Sequence, residues 1–118
     1  MGPMYIVGIT GASGPIIGIR LIEELVKRGL PVASIVSSAA APIIRYEVPG
    51  AESYEGLKPL LASRNSGLAL DRLAEYADDD LWAPPSSGST RSSGLIIAPC
   101  SMKTLAAVAA GYAGSLIH

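Results

Sequence analysis

The sequence contains few of the side chains from which metal centres and disulfide frameworks are built. Of its 118 residues one is cysteine, one is histidine and none is phenylalanine. A lone cysteine, Cys100, excludes an internal disulfide and fits a reducing compartment. Three consecutive aspartates at positions 78–80 have no histidine or further carboxylate spaced around them as cation ligands would be, so they indicate a solvated turn. We therefore expect no metal site.

Strong charge and long apolar runs are also absent. The formal net charge is −1, and without a basic run the chain lacks the electrostatic footprint of a nucleic-acid-binding protein. No apolar run approaches the roughly 20 residues that cross a bilayer, and the first residues lack the basic and apolar regions of a signal peptide. These absences predict a cytoplasmic protein whose partners are neither nucleic acids nor membranes.

What the chain has in quantity is small and branched aliphatic side chains. Hydrophobic residues make up 49% of it, mainly Ala, Ile, Leu and Val, a composition that suits a parallel sheet covered by helices. A chain of this length, in which no internal repeat is visible, predicts a single domain over residues 1–118.

The start of the chain predicts a strand–helix–strand unit. Residues 4–10 form a nearly continuous apolar run, the pattern of a strand buried on both faces. An amphipathic helical pattern begins at Ile16 and stops at Gly29, and residues 32–36 form a second buried strand. Because crossovers of this kind are right-handed, the two strands are expected to be parallel neighbours in one sheet.

The remainder of the chain continues the alternation of helix and strand. The predicted segments are a helix over residues 39–46, two weaker helical patterns around residues 57–61 and 68–73, a loop over residues 84–94, a strand over residues 95–98 and a helix over residues 101–110. This order predicts an α/β fold with a doubly wound parallel sheet.

The turn after the first strand has a composition that suits an anion. Gly11 and Gly14 give its backbone freedom, Ser13 supplies a hydroxyl, and a helix that begins after Pro15 directs its unpaired N–H groups towards the turn. The glycine spacing is neither that of the dinucleotide fingerprint nor that of a P-loop. From these residues alone, an anion site and a plain tight turn are equally supported.

Hydroxyl side chains follow three of the predicted strands. Ser13, Ser37 and Ser101 lie where the carboxyl ends of parallel strands form a ligand crevice. Ser101 is also a natural N-cap for the helix that follows it. The loop over residues 86–93, which contains Arg91, is either a flexible linker or a cover for a ligand in the same region.

Four stretches of the sequence together resemble the flavin prenyltransferase family, the UbiX-like FMN-binding proteins. They are residues 7–14 (VGITGASG), 35–37 (IVS), 87–89 (SGS) and 98–106 (APCSMKTLA). The resemblance implies a Rossmann-like or flavodoxin-like subunit with three layers, αβα. It corresponds to the N-terminal part of a typical member, so the single domain is expected to be incomplete at its C-terminus.

The resemblance also implies the chemistry of that family. Its members transfer a dimethylallyl group from dimethylallyl phosphate to reduced FMN, need no metal, and supply the prenylated FMN to UbiD-type decarboxylases. They form homo-oligomers built from trimers, assembled as dodecamers. The chain is accordingly expected to be a prenyltransferase that uses FMN as the acceptor of the prenyl group.

Individual residues take their expected roles from the same resemblance. Ser13, close to the reacting flavin, and Glu47, which assists proton transfer, are the expected catalytic residues. The expected FMN-binding residues are Gly11, Ala12, Ser13, Ser37, Ser89, Arg91, Ser101, Met102, Lys103 and Thr104.

Two other functions stay open. One is that of the related FMN-dependent cysteine decarboxylases, which share the fold. The segment from Ser101 to Thr104 fits the prenyltransferases better, and no histidine follows the second strand or helix as those decarboxylases would require. The other is a non-catalytic FMN-binding or assembly subunit.

Overall fold

The computed structural model describes residues 4–77 and 92–110. Within them the chain forms, in order, β1 (Met4–Ile9), α1 (Pro15–Lys27), β2 (Val32–Val36), α2 (Ala40–Glu47), α3 (Leu57–Arg64), β3 (Leu73–Ala77), β4 (Ser92–Ile97) and α4 (Met102–Ala110). No helix of this described part is long and apolar enough to cross a membrane. Two predicted FMN contacts, Ser89 and Arg91, and the three aspartates at positions 78–80 lie outside the described residues.

All four strands pair in parallel in one sheet of order β3-β2-β1-β4. β1 occupies the interior, with Ile9 opposite Val36 of β2 and Gly8 opposite Ile97 of β4. The chain therefore extends the sheet first to one side of β1 and later to the other. The predicted α/β fold with a doubly wound parallel sheet is confirmed, and the order reverses between β1 and β4, where such folds bind ligands.

The main core lies between one face of the sheet and helices α1, α2 and α3. Because side chains alternate along a strand, Val7 and Ile9 of β1 lie on this face and are fully buried. The helices contribute further large members of the cluster, among them Ile19, Ile22, Ile44, Leu57 and Leu61. The opposite face has a smaller buried cluster around Ile6 and Ile35. The expectation of strands buried on both faces therefore holds for β1 and β2.

The helical pattern predicted around residues 68–73 is wrong. Leu68 and Leu70 pack against the core from a connecting segment, and β3 begins at Leu73. The β3 sequence, LAEYA, contains good helix formers, but its backbone pairs with β2 from Leu73 opposite Val32 to Ala77 opposite Val36. Pairing with β2 thus overrides the local propensity.

The end of the predicted loop over residues 84–94 is also corrected. β4 begins at Ser92, three residues before the strand predicted from Leu95. Serine and glycine favour loops, but here they continue the ladder with β1, in which Tyr5 lies opposite Gly94. A register irregularity between Met4 and Tyr5 accompanies this polar start of the strand.

Two side chains from other elements fix the ends of α3. The carboxylate of Glu75 on β3 accepts hydrogen bonds from the backbone N–H groups of Leu57 at 2.5 Å and Lys58 at 3.3 Å. It therefore satisfies donors that the N-terminus of the helix leaves free. At the other end, Nε of Arg64 donates to Oε2 of Glu23 on α1 at 2.8 Å.

Gly18 lets α1 approach the segment that follows β4. A Cβ atom at this position would overlap the carbonyl oxygen of Ala98 and would lie 2.9 Å from Cγ1 of Ile9. The absence of a side chain therefore sets the distance between α1 and the β4–α4 connection.

We expect Gly18→Ala to destabilise the protein. In an exposed helix the same change stabilises by about 0.5–1 kcal/mol, whereas overpacking costs about 1–3 kcal/mol, so the sign of the effect identifies the close contact. Urea unfolding measures it, with Arg20→Ala on the exposed face of α1 as the control for helix propensity. An increase in stability for Gly18→Ala would contradict the contact.

Burial in the segment between α2 and α3 raises the pKa of Tyr54 to about 12, with Glu75 adding to the rise and Arg45 opposing it. The folded state therefore holds the phenol neutral, and the unfolded chain ionises first. We expect the free energy of unfolding to fall between about pH 10 and pH 12, by about 2–3 kcal/mol from this group. Urea unfolding at each pH measures the loss, and Tyr54→Phe should show a smaller one. An equal loss of unfolding free energy in Tyr54→Phe and in the unsubstituted protein would contradict the raised pKa of Tyr54.

Candidate functional site

Three connecting segments meet at the carboxyl ends of β1, β2 and β4. The N–H group of Ser37, just after β2, donates to the carbonyl oxygen of Ile9 at 2.9 Å. The N–H group of Thr10, just after β1, donates to the carbonyl oxygen of Pro99 after β4 at 3.2 Å. Backbone hydrogen bonds therefore hold the three segments together at the point where the strand order reverses.

The segment after β1 is a tight turn that only small residues can form. Gly14, the N-cap of α1, has φ +95°, a backbone conformation that favours glycine. A Cβ on Gly11 would lie 2.7 Å from the Cβ of Ala39, so this turn lies directly against the start of α2. Pro15 follows as the first helical residue, where its missing N–H is not needed.

The side chains of Ser13 and Glu47 meet at the N-terminus of α1. Oγ of Ser13 donates to the Glu47 carboxylate, at 2.9 Å from Oε2 and 3.1 Å from Oε1. The N–H group of Gly14 donates to the same Oε1 at 3.0 Å. The carboxylate therefore lies where the helix dipole favours negative charge. The two residues expected to be catalytic come from the turn before α1 and from the last position of α2, and they are in direct contact.

Ser37 carries a buried hydroxyl without a hydrogen bond. Among the residues that the structure describes, its Oγ is the one buried side-chain oxygen or nitrogen that has no partner. Such groups are rare, because an unsatisfied buried hydroxyl costs about 1–3 kcal/mol. The position of this oxygen, at the carboxyl end of β2, is where a bound polar group can supply the missing hydrogen bond.

The segment after β4 forms the capped start of α4. Oγ of Ser101 accepts a hydrogen bond from the N–H group of Thr104 at 3.1 Å and donates to its Oγ1 at 3.0 Å. The predicted N-cap is confirmed. Thr104 is buried, whereas Met102 and Lys103 are exposed. Because the N–H group of Ser101 also donates to the hydroxyl of Thr10, the N-terminus of α4 lies beside the end of β1.

The sequence of the chain is similar to that of known flavoproteins. The model of the family described as Flavoprotein matches residues 2–118. The chain belongs to the Flavoprotein family. Flavin prenyltransferase UbiX of Halalkalibacterium halodurans is 36% identical to it over 123 aligned residues, covering 98% of this chain and 54% of that protein. The chain spans about half the length of the curated relatives it matches.

Solved structures of similar proteins support the assignment of the chain to this family. AnUbiX (PadA1), crystallised in complex with FMN and dimethylallyl pyrophosphate, has a TM-score of 0.78 and 31% identity, covering 98% of this chain and 54% of that one. The dodecameric FMN-dependent UbiX-like decarboxylase from Escherichia coli O157:H7 has a TM-score of 0.77 and 34% identity, covering 97% of this chain and 56% of that one. The resemblance to UbiX-like proteins and the flavodoxin-like fold are confirmed.

The segments joined at this edge of the sheet, together with the end of α2, carry most of the residues expected at the site. Those in the described segments are Gly11, Ala12, Ser13, Ser37, Glu47, Ser101, Met102, Lys103 and Thr104. The described residues contain no group of three or more His, Cys, Asp or Glu side chains that could hold a metal ion. The donors that this region offers a ligand are the hydroxyl of Ser37, backbone N–H groups in the first turn of α4 and the exposed Lys103, a set that suits an anionic or carbonyl-bearing molecule.

Thr10 is the residue of this region that the sequence did not single out. Its hydroxyl donates to the carbonyl oxygen of Pro99 at 2.7 Å and accepts from the N–H group of Ser101 at 2.8 Å. In the sequence it is only a polar residue at the end of an apolar run. Its partners lie 89 and 91 residues away, so no local pattern indicates the contact.

The charge of Glu47 is expected to stabilise the start of α1. Glu47→Gln keeps an acceptor for Ser13 but removes the negative charge, so the free energy of unfolding should fall by about 0.3–1 kcal/mol at low ionic strength. The difference should shrink in about 1 M salt, because the interaction is screened. Urea unfolding at both salt concentrations tests this, with Glu52→Gln at an exposed position as the control. If Glu47→Gln lost no more unfolding free energy than Glu52→Gln, the interaction of the Glu47 charge with the start of α1 would be contradicted.

Proposed function

We propose that this chain binds FMN at the carboxyl ends of β1, β2 and β4, as part of a flavin prenyltransferase. The observation that carries the proposal is the contact of Ser13 with Glu47 at the N-terminus of α1. It joins a proton donor and a carboxylate in the connection after β1, and the connection after β2 carries the unpartnered hydroxyl of Ser37. The similarity to flavin prenyltransferases, and to a structure in complex with FMN and dimethylallyl pyrophosphate, supports the same function.

The residues of the site fit FMN. Its phosphate and its ring carbonyls need hydrogen-bond donors, and the first turn of α4 presents backbone N–H groups, whereas at the start of α1 the Glu47 carboxylate already accepts from Gly14. The free hydroxyl of Ser37 offers one more. The residues proposed to hold FMN are Gly11, Ala12, Ser13, Ser37, Ser101, Met102, Lys103 and Thr104, together with Ser89 and Arg91 outside the described residues.

Reduced FMN, when bound, would supply the electron-rich atoms that accept the dimethylallyl group as phosphate leaves. The chain itself would hold and move a proton. Because Ser13 donates its own proton to Glu47, its oxygen retains lone pairs that can accept a proton from a neighbouring donor. Transfer through Ser13 would then place that proton on the Glu47 carboxylate, which acts as a general base. We propose Ser13 and Glu47 as the catalytic residues on this ground.

The prenyl donor, the partner, the assembly and the location are proposed by analogy with the similar proteins. Dimethylallyl phosphate is the proposed donor, and UbiD-type decarboxylases are the proposed users of the product. A homo-oligomer built from trimers, assembled as a dodecamer, is proposed because the Escherichia coli O157:H7 structure is dodecameric. A cytoplasmic location is proposed with them. Since the chain spans about half the length of those relatives, FMN binding and prenyl transfer are tested separately.

A flavoprotein decarboxylase is the second candidate. Its support is that two similar structures are described as decarboxylases, from Escherichia coli O157:H7 and from Aquifex aeolicus. In that case the Ser13–Glu47 pair would serve proton transfer to or from a carboxylate substrate. A non-catalytic FMN-binding or assembly subunit is the third possibility, and the same experiment distinguishes it.

The test is anaerobic incubation of the chain with reduced FMN and dimethylallyl phosphate, followed by mass spectrometry of the flavin. We expect a product heavier by one dimethylallyl unit. Ser13→Ala and Glu47→Gln should bind FMN with an affinity within a few-fold of the unsubstituted chain, measured by flavin fluorescence. Their product formation should fall at least about a hundredfold, as for loss of general acid–base catalysis. Glu52→Gln is the matched carboxylate control.

Each alternative gives a different result in this assay. FMN binding without a prenylated product would support the binding subunit. In a parallel incubation with oxidised FMN as the electron acceptor, carbon dioxide release from a peptide with a C-terminal cysteine would support the decarboxylase. Prenyl transfer at an unchanged rate in both Ser13→Ala and Glu47→Gln would contradict the roles proposed for these residues. Absence of FMN binding would contradict the proposed function as a whole.

A further inference from the structure

The hydroxyl of Thr10 connects two segments that the proposed function places around one ligand. Thr10 is only 2% exposed and stands between β1 and the turn that begins at Gly11. Its Oγ1 donates to the carbonyl oxygen of Pro99 at 2.7 Å and accepts from the N–H group of Ser101 at 2.8 Å. Both hydrogen-bonding functions of the hydroxyl are therefore used across the gap between β1 and β4.

The backbone of Thr10 strengthens the same connection. Its N–H group donates to the carbonyl oxygen of Pro99 at 3.2 Å, and its own carbonyl oxygen accepts from the N–H group of Ala12 at 2.8 Å. One residue thus bonds to the turn before α1 and to the segment before α4. The side-chain bond alone reaches Ser101, the residue that caps α4.

We propose that Thr10 is a positioning residue of the FMN site. Its hydroxyl sets the place of Ser101, and with it the first turn of α4, relative to the turn at residues 11–14. This inference rests on the proposed function, in which both segments hold FMN. A site whose two sides are fixed before binding loses less conformational entropy when the ligand arrives, so the connection increases affinity without touching the ligand.

The hydroxyl of Ser34 is as deeply buried as that of Thr10 but lies away from the proposed FMN site. Ser34 is 1% exposed, and its Oγ donates to the carbonyl oxygen of Ala74 at 3.1 Å, joining β2 to β3. The loss of the Ser34 hydroxyl removes one buried hydrogen bond and the loss of the Thr10 hydroxyl removes two, so both changes lower stability. Only Thr10 bonds to a segment of the site. Ser34→Ala therefore controls for a purely structural effect.

The experiment compares four proteins: the unsubstituted chain, Thr10→Val, Thr10→Ser and Ser34→Ala. Valine has nearly the shape of threonine but lacks the hydroxyl, whereas serine retains it. The first measurement is amide hydrogen exchange of Ser101 by NMR without FMN. The second is the Kd for FMN from the quenching of flavin fluorescence. Both are made at a temperature where unfolding curves show all four proteins to be folded.

We expect Thr10→Val to increase the exchange rate of the Ser101 amide at least about tenfold, since its acceptor is lost. The Kd for FMN should rise about tenfold, because a tenfold change in Kd corresponds to the net free energy of about one hydrogen bond. Thr10→Ser should restore most of both values. Ser34→Ala should leave both within about twofold of the unsubstituted chain, and this pattern supports the positioning role.

Two results would overturn the inference while the proposed function stands. One is an unchanged Ser101 exchange rate in Thr10→Val. The other is an unchanged Kd in Thr10→Val, or an equal rise in Ser34→Ala, in a series whose unsubstituted chain binds FMN. Failure of the unsubstituted chain to bind FMN is a different result, because it overturns the proposed function and the inference together.

Discussion

The backbone at the carboxyl end of β1 bonds to the chain on both of its sides, and the geometry of the candidate site depends on these bonds. The carbonyl oxygen of Ile9 accepts from Ser37 after β2, and the N–H group of Thr10 donates to Pro99 after β4. Parallel strands pair through evenly spaced hydrogen bonds, so a shift of one residue would move every side chain to the opposite face. The buried faces of β1 therefore also fix which loops meet at its end.

The pairing of Ser13 with Glu47 depends on the core in a second way. Glu47 is the last residue of α2, so its carboxylate reaches α1 only because α2 packs there through Ala40 and Ile44, both fully buried. The turn at Gly11 lies against Ala39, where no Cβ would fit. An exposed contact between a hydroxyl and a carboxylate is weak by itself. Here the buried packing of two helices holds its partners in position.

Local patterns in the sequence predicted those parts of the structure whose signal is local. The apolar run of β1 and the amphipathic period of α1 were sufficient for both elements, and serines after strands indicated the edge that carries the candidate site. β3 was missed because Ala, Leu and Glu favour a helix, and only pairing with β2 makes them a strand. The contact of Ser13 with Glu47, 34 residues apart, has no periodic signal. Those two residues were selected together only through the family resemblance.

The two sides of β1 are stabilised by different forces. The large buried cluster joins β1, β2 and β3 to α1, α2 and α3, and among the described residues it has no member in β4 or α4. On the β4 side, Leu95, Met102 and Leu105 are more than half exposed. Apolar burial, the larger and less directional term, therefore fixes the first half of the site. The second half is placed by directional contacts, namely strand pairing and the hydrogen bonds of Thr10. Because such contacts define angles and distances more sharply than burial does, they suit a segment that is proposed to face a ligand.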